Sequence, residues 1–156
     1  LYAQPWGMGV IGEEINTDLD RIPAIKTTLG EWLAKHPESQ VLSANTGYSR
    51  DYTRYPYGTY YTNSEIIFPV RNQKALAHPP KEIVSYIWES DQAVPHLQFV
   101  HSEMQEVGEK TVQFGDRQVI AKWDEELSTV IVSEMDGKVI PISTAFAFVY
   151  PAFFTE

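Results

Sequence analysis

Cysteine is absent from this chain of 156 residues, so disulfides, thiolate nucleophiles and cysteine-ligated metals are excluded together. No apolar run approaches the roughly 18 residues that a membrane-spanning helix requires. Basic residues are scarce, 12 against 21 acidic ones, which gives a formal charge of −9. Because nucleic acids and anionic membranes are both held by clustered Lys and Arg, this composition argues against either partner.

What is present is the composition of a globular protein. Apolar residues make up 43% of the chain and aromatic residues 13%, enough to form a core. The length predicts a single globular domain over residues 1–156. Because the chain begins at Leu1 rather than Met, we expect a mature or trimmed product of a longer protein.

Strand signals dominate from residue 65 onward. Short runs of β-branched and aromatic residues follow one another there, in "EIIFPV", "EIVSYIW" and "PHLQFVH". An earlier run, "QVLS", also predicts a short buried strand.

Two hairpins are predicted after these runs, one turning at Gly115-Asp116 and one at Asp136-Gly137 in a type I′ turn. The terminal run "STAFAFVYPAFF" fits either a buried helix or a last strand, and we expect a short helix. The sequence therefore predicts a mainly β (α+β) fold of antiparallel sheets with one or two short helices.

The most regular helix is expected over residues 28–36. Thr28 is a suitable N-cap, and Glu31 three residues later completes a capping box. Trp32, Leu33 and His36 recur at helical spacing, so we expect the first two to be buried and His36 to face a structural partner.

No catalytic signature is visible. The chain has no G-x-S-x-G elbow, no H-E-x-x-H motif and no phosphate-binding glycine loop. The four histidines show no metal-ligand spacing; they are His36, His78, His96 and His101. The sequence therefore indicates no catalytic residue, no metal and no cofactor.

The segment "TGYSRDYTRYPYGTYY", residues 46–61, holds six of the nine tyrosines. Over residues 46–74, four basic side chains (Arg50, Arg54, Arg71, Lys74) face two acidic ones (Asp51, Glu65), so this window carries +2 and the remainder −11. Guanidinium groups bind carboxylates, phosphates and hydroxyls, and tyrosine offers a flat face with a polar tip.

Two interpretations of this segment stay open. It is either a self-fastened lid, with Asp51 as the counter-charge of Arg50 and Arg54, or a ligand-binding loop. Six phenols cannot all find partners when buried, so we expect part of the cluster to remain accessible. The ligand-binding candidates are Tyr48, Arg50, Asp51, Tyr52, Arg54, Tyr55, Tyr57 and Tyr60, together with His36.

The stretch "HPESQVLSANTGYSRDYTRYPYGTYY", followed by "FPV" and "PPKEIV", resembles the bacterial and archaeal family called domain of unknown function 3179. The opening "GVIGEE" and the close "DGKVIPISTAFAFVYP" are similar to that family as well. Tyr150-Pro151 stands where the family usually has His-Pro, and the segment after "PPKEIV" is only loosely similar. The Cys-Pro-x-Cys half of longer members has no counterpart here.

The resemblance implies an exported, β-rich domain, periplasmic or secreted, that forms the C-terminal part of a longer architecture. It implies no activity.

Three functions from different classes are compatible with these features. The first is a non-catalytic binding module that uses residues 46–61 to hold a small polar or anionic ligand, or a glycan. The second is a structural or assembly subunit that buries this loop and the apolar C-terminus against a protein partner. The third, ranked last, is a hydrolase that uses His36 with a carboxylate from elsewhere. The oligomeric state is not indicated.

Overall fold

The computed structural model of the protein describes residues 1–70, 77–88 and 95–154. These residues form eight strands: β1 (Tyr2–Ala3), β2 (Met8–Gly9), β3 (Ile83–Trp88), β4 (Pro95–Val100), β5 (Glu109–Phe114), β6 (Arg117–Asp124), β7 (Thr129–Glu134) and β8 (Ser143–Phe146). They also form three helices: α1 (Leu29–Lys35), α2 (His101–Val107) and α3 (Val149–Phe154). None of the helices in the described ranges has the length and apolar character needed to cross a membrane.

The strands form three antiparallel sheets, which confirms the predicted mainly β fold. β1 and β2 pair near the N-terminus, β3 lies between β4 and β8, and β6 lies between β5 and β7. The last two sheets carry the long strands and surround α2, which contacts strands of both. The three helices exceed the one or two expected from the sequence.

Alternation along β3 divides the core into two clusters. Val84 and Tyr86 face one side with Val100 and Ala147, and Ile87 faces the other side. The larger cluster combines residues from both three-stranded sheets and α2 with Ile140, which follows β7: Ile87, Phe99, Met104, Phe114, Val119, Ala121, Trp123, Val130, Val132 and Ile140. The strands predicted from "EIVSYIW" and "PHLQFVH" therefore contribute buried residues to both clusters.

Helix α2 was not predicted. It begins at His101, directly after β4, without a side-chain cap, and ends at Gly108, whose φ of 80° favours glycine. His101 and Met104, three residues apart, are its buried residues. The predicted strand "PHLQFVH" extends one residue into this helix, and residues 102–107 carry no cap signal that would indicate a helix.

The capping box of α1 is confirmed: the Thr28 hydroxyl accepts from the Glu31 amide, and the Glu31 carboxylate accepts from the Thr28 amide. The predicted burial of Trp32 and Leu33 is wrong, since both are only half-buried and α1 has no buried residue. His36 is exposed. Helix α1 therefore lies at the protein surface and is attached to the rest of the protein by polar contacts.

Those contacts reach the turn between β6 and β7. Lys35 pairs with Asp124 at 2.7 Å and with Glu126 at 2.9 Å. The Ser128 hydroxyl donates to Glu31 at 2.6 Å. This bond, together with those from the capping residues, lowers the pKa of the Glu31 carboxyl to about 2.

The hairpin at Gly115-Asp116 is confirmed, with β5 and β6 joined by those two residues. The second hairpin has its tip where predicted, but its turn is not type I′. The Gly137 amide donates to the Glu134 carbonyl, and Gly137 alone has a left-handed φ, 88°, among the turn residues. The returning arm pairs through the isolated bridge Ser133–Val139 rather than through a second full strand.

Two predicted strands are absent from the described structure. "QVLS" and residues 65–70 are irregular, and neither pairs with another strand of the described ranges. The terminal run divides into β8, which pairs with β3, and α3, so the expected short helix is confirmed only for its second part, and its first part is a strand.

Candidate functional site

Four tyrosines of residues 46–61 form a connected group of rings around β8. Tyr55 lies 5.7 Å from Tyr57 and 5.0 Å from Tyr61, and Tyr57 lies 6.4 Å from Tyr60, between ring centroids. Tyr60 and Tyr61 both contact Phe146, at 6.1 and 5.4 Å. We call these five residues the aromatic cluster. Tilted and edge-on contacts at such distances are favourable for aromatic rings.

Phe146 fixes the cluster to the core. It is the last residue of β8 and pairs with Ile83 of the central strand. Lys81, two residues before that strand, donates to the Tyr60 carbonyl and, at 2.9 Å, to Asn63 Oδ1. Its ammonium also lies 3.5 Å from the centre of the Tyr60 ring. These contacts attach the irregular segment around Tyr60 to the sheet that contains β3 and β8.

The outer rings remain open to solvent. Tyr57 is 60% exposed, Tyr61 55% and Tyr55 38%, whereas Tyr60 is half-buried. Desolvation by neighbouring atoms and the adjacent phenols raise the pKa of the Tyr55 hydroxyl, so it is protonated at neutral pH. The cluster therefore presents three accessible aromatic rings that are attached to the core through Phe146, in line with the expectation that part of the tyrosine segment is accessible.

Lys26 lies beside the cluster. Its ammonium is 5.5 Å from the centre of the Phe146 ring and 5.8 Å from that of Tyr61. The residue is exposed, but the atoms around its ammonium desolvate it and lower its pKa. Within the described residues no carboxylate forms an ion pair with Lys26.

A buried polar network runs beneath the cluster. Ser85 Oγ lies 2.9 Å from His101 Nε2 and 2.9 Å from Thr144 Oγ1. Thr144 and Phe146 are two residues apart on β8, so they lie on the same face of the sheet. Burial lowers the pKa of His101 to about 4, and the charge of Lys26 contributes to this shift while Glu82 opposes it. His101 is therefore neutral at pH 7, and the network ties α2 to two strands.

Ser85 is fully buried, so its hydroxyl is not accessible to a substrate. The Ser85–His101 pair resembles the first two members of a nucleophilic triad in distance only. Its role in the described structure is to satisfy polar groups within the core.

The predicted ligand-binding residues separate into two groups. Tyr55, Tyr57 and Tyr60 belong to the aromatic cluster, whereas Tyr48 and Tyr52 lie outside its ring contacts. Tyr48 is 75% exposed, and the hydroxyl of Tyr52 lies 2.8 Å from that of Thr46.

Asp51 was predicted to neutralise Arg50 and Arg54, and this pairing is wrong. The carboxylate accepts from the hydroxyl and amide of Thr53, at 2.6 and 3.0 Å. These bonds and one from the Arg54 amide lower the pKa of Asp51. The Asp51 carboxylate therefore forms its hydrogen bonds within the local turn and not with either guanidinium. Both arginines are exposed, and Arg71 and Lys74 lie outside the described residues.

His36 lies away from the aromatic cluster, at the end of α1. Its ring packs against Trp32 with centroids 4.2 Å apart, and the Trp32 indole donates to Ser39 at 2.8 Å. In residues 1–70, 77–88 and 95–154 no carboxylate lies within ion-pair distance of His36. The acid that a hydrolytic role would need is not placed beside it in this part of the chain.

An open groove of about 700 Å³ lies between residues 18–21, the turn that joins β5 to β6, and the segment that follows β7. Its charged lining is mixed in sign, and some of these groups already have partners. Arg117 donates to Glu134 at 2.5 Å, and Arg21 donates to the Trp6 carbonyl at 3.3 Å. The groove offers no accessible aromatic platform comparable with the aromatic cluster. Among the described residues, no group of three or more His, Cys, Asp or Glu side chains is arranged to hold a metal ion.

Sequence reasoning missed Lys26, Lys81 and Phe146, which come from segments far from residues 46–61. Nothing in the local sequence of the two lysines distinguishes them. A weak signal existed for the buried network, because Ser85 interrupts an apolar strand and a buried hydroxyl needs a partner.

A family model described as "Protein of unknown function (DUF3179)" matches residues 1–140. The matched range contains Lys26, Lys81 and every tyrosine of the aromatic cluster, and it ends before β8. No curated protein and no solved structure matches the chain.

Proposed function

This chain belongs to the family "Protein of unknown function (DUF3179)", and we propose that it is a non-catalytic binding module that holds a glycan on its aromatic cluster. One observation carries the proposal. Three tyrosine rings are exposed, yet they are joined to one another and to Phe146, which the core fixes. Rings that are already ordered lose little conformational entropy when they bind.

The chemistry of the surface favours a saccharide. The apolar C–H face of a sugar ring packs on a flat aromatic face, and phenol hydroxyls at the rim exchange hydrogen bonds with sugar hydroxyls. Tyr57 is the central contact in this proposal, because it is the most exposed member of the cluster and touches both Tyr55 and Tyr60.

Isothermal titration calorimetry with neutral and acidic oligosaccharides tests the proposal. For an oligosaccharide that the unmodified protein binds, we expect Tyr57→Ala to weaken binding about tenfold, the equivalent of roughly 1.4 kcal/mol of lost stacking. Tyr48→Ala is the matched control, since Tyr48 is an exposed tyrosine of the same segment outside the cluster. Both variants should melt like the unmodified protein.

The proposal is wrong if no oligosaccharide binds at millimolar concentration. Equal affinities for the unmodified protein and the Tyr57→Ala variant would also contradict it.

A second candidate, an assembly subunit, is favoured by a different observation. Before residue 70 the chain leaves large apolar side chains exposed, among them Ile22, Leu42 and Phe68. Apolar surface of this kind is often covered by a partner. The apolar C-terminus is partly occupied, because the Phe153 ring packs edge-on against Trp6 at 5.9 Å and its carbonyl accepts from the Trp6 indole. Light scattering coupled to size-exclusion chromatography separates the two candidates: a stable oligomer whose formation hides Tyr57 favours assembly.

We propose further that the domain works outside the cytoplasm, in the periplasm or after secretion, where extracellular glycans are met. Accessibility of the full-length protein to an added protease in intact or osmotically shocked cells tests this localisation. Protection in both preparations would contradict it.

A further inference from the structure

Resting on the proposed glycan site, we propose that the ligand is an acidic saccharide whose carboxylate binds Lys26. Its ammonium is within 6 Å of two ring centres of the aromatic cluster, 5.5 Å from Phe146 and 5.8 Å from Tyr61. A sugar stacked on Tyr61 brings its ring substituents within reach of this ammonium.

Lys26 differs from the other lysine at the cluster. The Lys81 ammonium is occupied by the Tyr60 carbonyl, by Asn63 and by the face of the Tyr60 ring, so it fastens the segment in place. Among the described residues, the Lys26 ammonium lies against two ring faces and forms no ion pair with a carboxylate. A ring face compensates a cation less completely than a carboxylate does.

The surroundings strengthen this preference for an anion. Neighbouring atoms partly desolvate the ammonium, which lowers its pKa, and a desolvated charge gains more from an opposite charge than a hydrated one does. The buried His101 beneath the cluster is neutral at pH 7, and the Lys81 ammonium is already bound within the segment, so the exposed Lys26 is the cation beside the cluster that a ligand can reach. A carboxylate on the ligand restores the compensation that the described chain does not provide.

The net negative charge of the chain disfavours non-specific binding of anions. With a formal charge of −9 the protein repels anions in general, so a polyanion has no non-specific reason to bind. Preference for a carboxylated ligand must then come from a local cation. A uronic acid combines the required features, since it carries one carboxylate on a ring that also has an apolar face.

The test compares one ligand in two forms: a 1,4-linked hexauronate and the same hexasaccharide after chemical reduction of its carboxyl groups. We expect the acidic form to bind about tenfold more tightly at low salt, as one charge-assisted contact predicts, and the difference to shrink at 0.5 M salt. Lys26→Met should abolish the difference while leaving affinity for the neutral form unchanged. Lys26→Arg should retain it, and Lys122→Met, which removes an exposed lysine from β6, is the control.

Each outcome decides a different point. Equal binding of the two forms, or an undiminished preference in Lys26→Met, overturns the assignment of Lys26 and leaves the glycan site standing. Failure of both forms to bind, with no response to Tyr57→Ala in any oligosaccharide, overturns the proposed function and this inference with it. Because Lys26 lies against two rings, melting curves of Lys26→Met and Lys26→Arg establish that the cluster is intact before binding is compared.

Discussion

The segment up to residue 70 and the part from residue 83 onward are held by different forces. In the later part, apolar side chains from two three-stranded sheets and α2 form two hydrophobic clusters, and the buried apolar side chains of the described ranges all lie from Val84 onward. The earlier part is attached through ring contacts on Phe146, the hydrogen bonds of Lys81, and the ion pairs of α1. The part from residue 83 onward contains the hydrophobic core, and the segment up to residue 70 is attached to its surface.

This difference explains how an irregular tyrosine-rich loop can offer a defined surface. Long loops in compact domains are fixed by internal contacts or serve a function. Here the contacts of Tyr60 and Tyr61 with Phe146 and Lys81 attach the loop to the core, and the ring of Tyr57 remains exposed to solvent. We expect the two regions to respond differently to mutation, to acid and to local unfolding.

The largest difference is expected for side-chain truncation. Met104 is fully buried where α2 meets both large sheets, so Met104→Ala should cost about 2–5 kcal/mol of unfolding free energy through lost contacts and a cavity. Leu42→Ala, at a residue that is 98% exposed in the earlier segment, should change it by less than about 0.5 kcal/mol. Urea melts measure both. Equal effects would show that the core is not confined to the later part.

A smaller difference is expected in acid. The pKa of His101 is about 4 in the folded protein against an ordinary 6.5, so between these values the unfolded chain binds a proton that the folded one excludes. Stability should therefore fall as pH decreases from 6.5 to 4, by at most about 3 kcal/mol, with no further loss from this group below pH 4.

The variant His101→Gln should lack this component of the pH dependence, whatever its stability at pH 7. His36→Gln, at an exposed histidine, should retain it. Urea melts at several pH values provide the measurement. Parallel pH profiles for the unmodified protein and His101→Gln would show that His101 titrates normally.

The smallest effect is expected at the capping box. Thr28→Ala removes the hydroxyl that accepts from Glu31, at a local cost of about 1 kcal/mol. Because α1 contributes no buried residue to the core, the change should accelerate amide hydrogen exchange in α1 and leave exchange in β6 and β7 unaltered. A uniform acceleration throughout the protein would mean that both regions unfold as one unit.

Prediction from sequence succeeded where the determining contacts are local. The capping box at Thr28 and Glu31, the two-residue turn at Gly115-Asp116 and the alternating strands each depend on residues within a few positions of one another. It failed for α2, which has no side-chain cap, and for "QVLS", which has strand composition but pairs with no strand of the described ranges. Helical periodicity also misplaced Trp32, because a stripe of apolar residues does not say how closely another element approaches it.

The candidate site divides in the same way. The sequence by itself determined that aromatic rings are concentrated in residues 46–61, that the chain is acidic, and that β structure dominates, since composition and short-range pattern are properties of the chain. Only the tertiary structure decided which rings face solvent, that Asp51 binds Thr53 rather than an arginine, and that Lys26, Lys81 and Phe146 meet those rings. The reason is that β3, together with Glu82 just before it, pairs with β8, which lies about 60 residues later in the chain. Such pairing is set by burial of the whole sheet and not by any stretch of sequence alone.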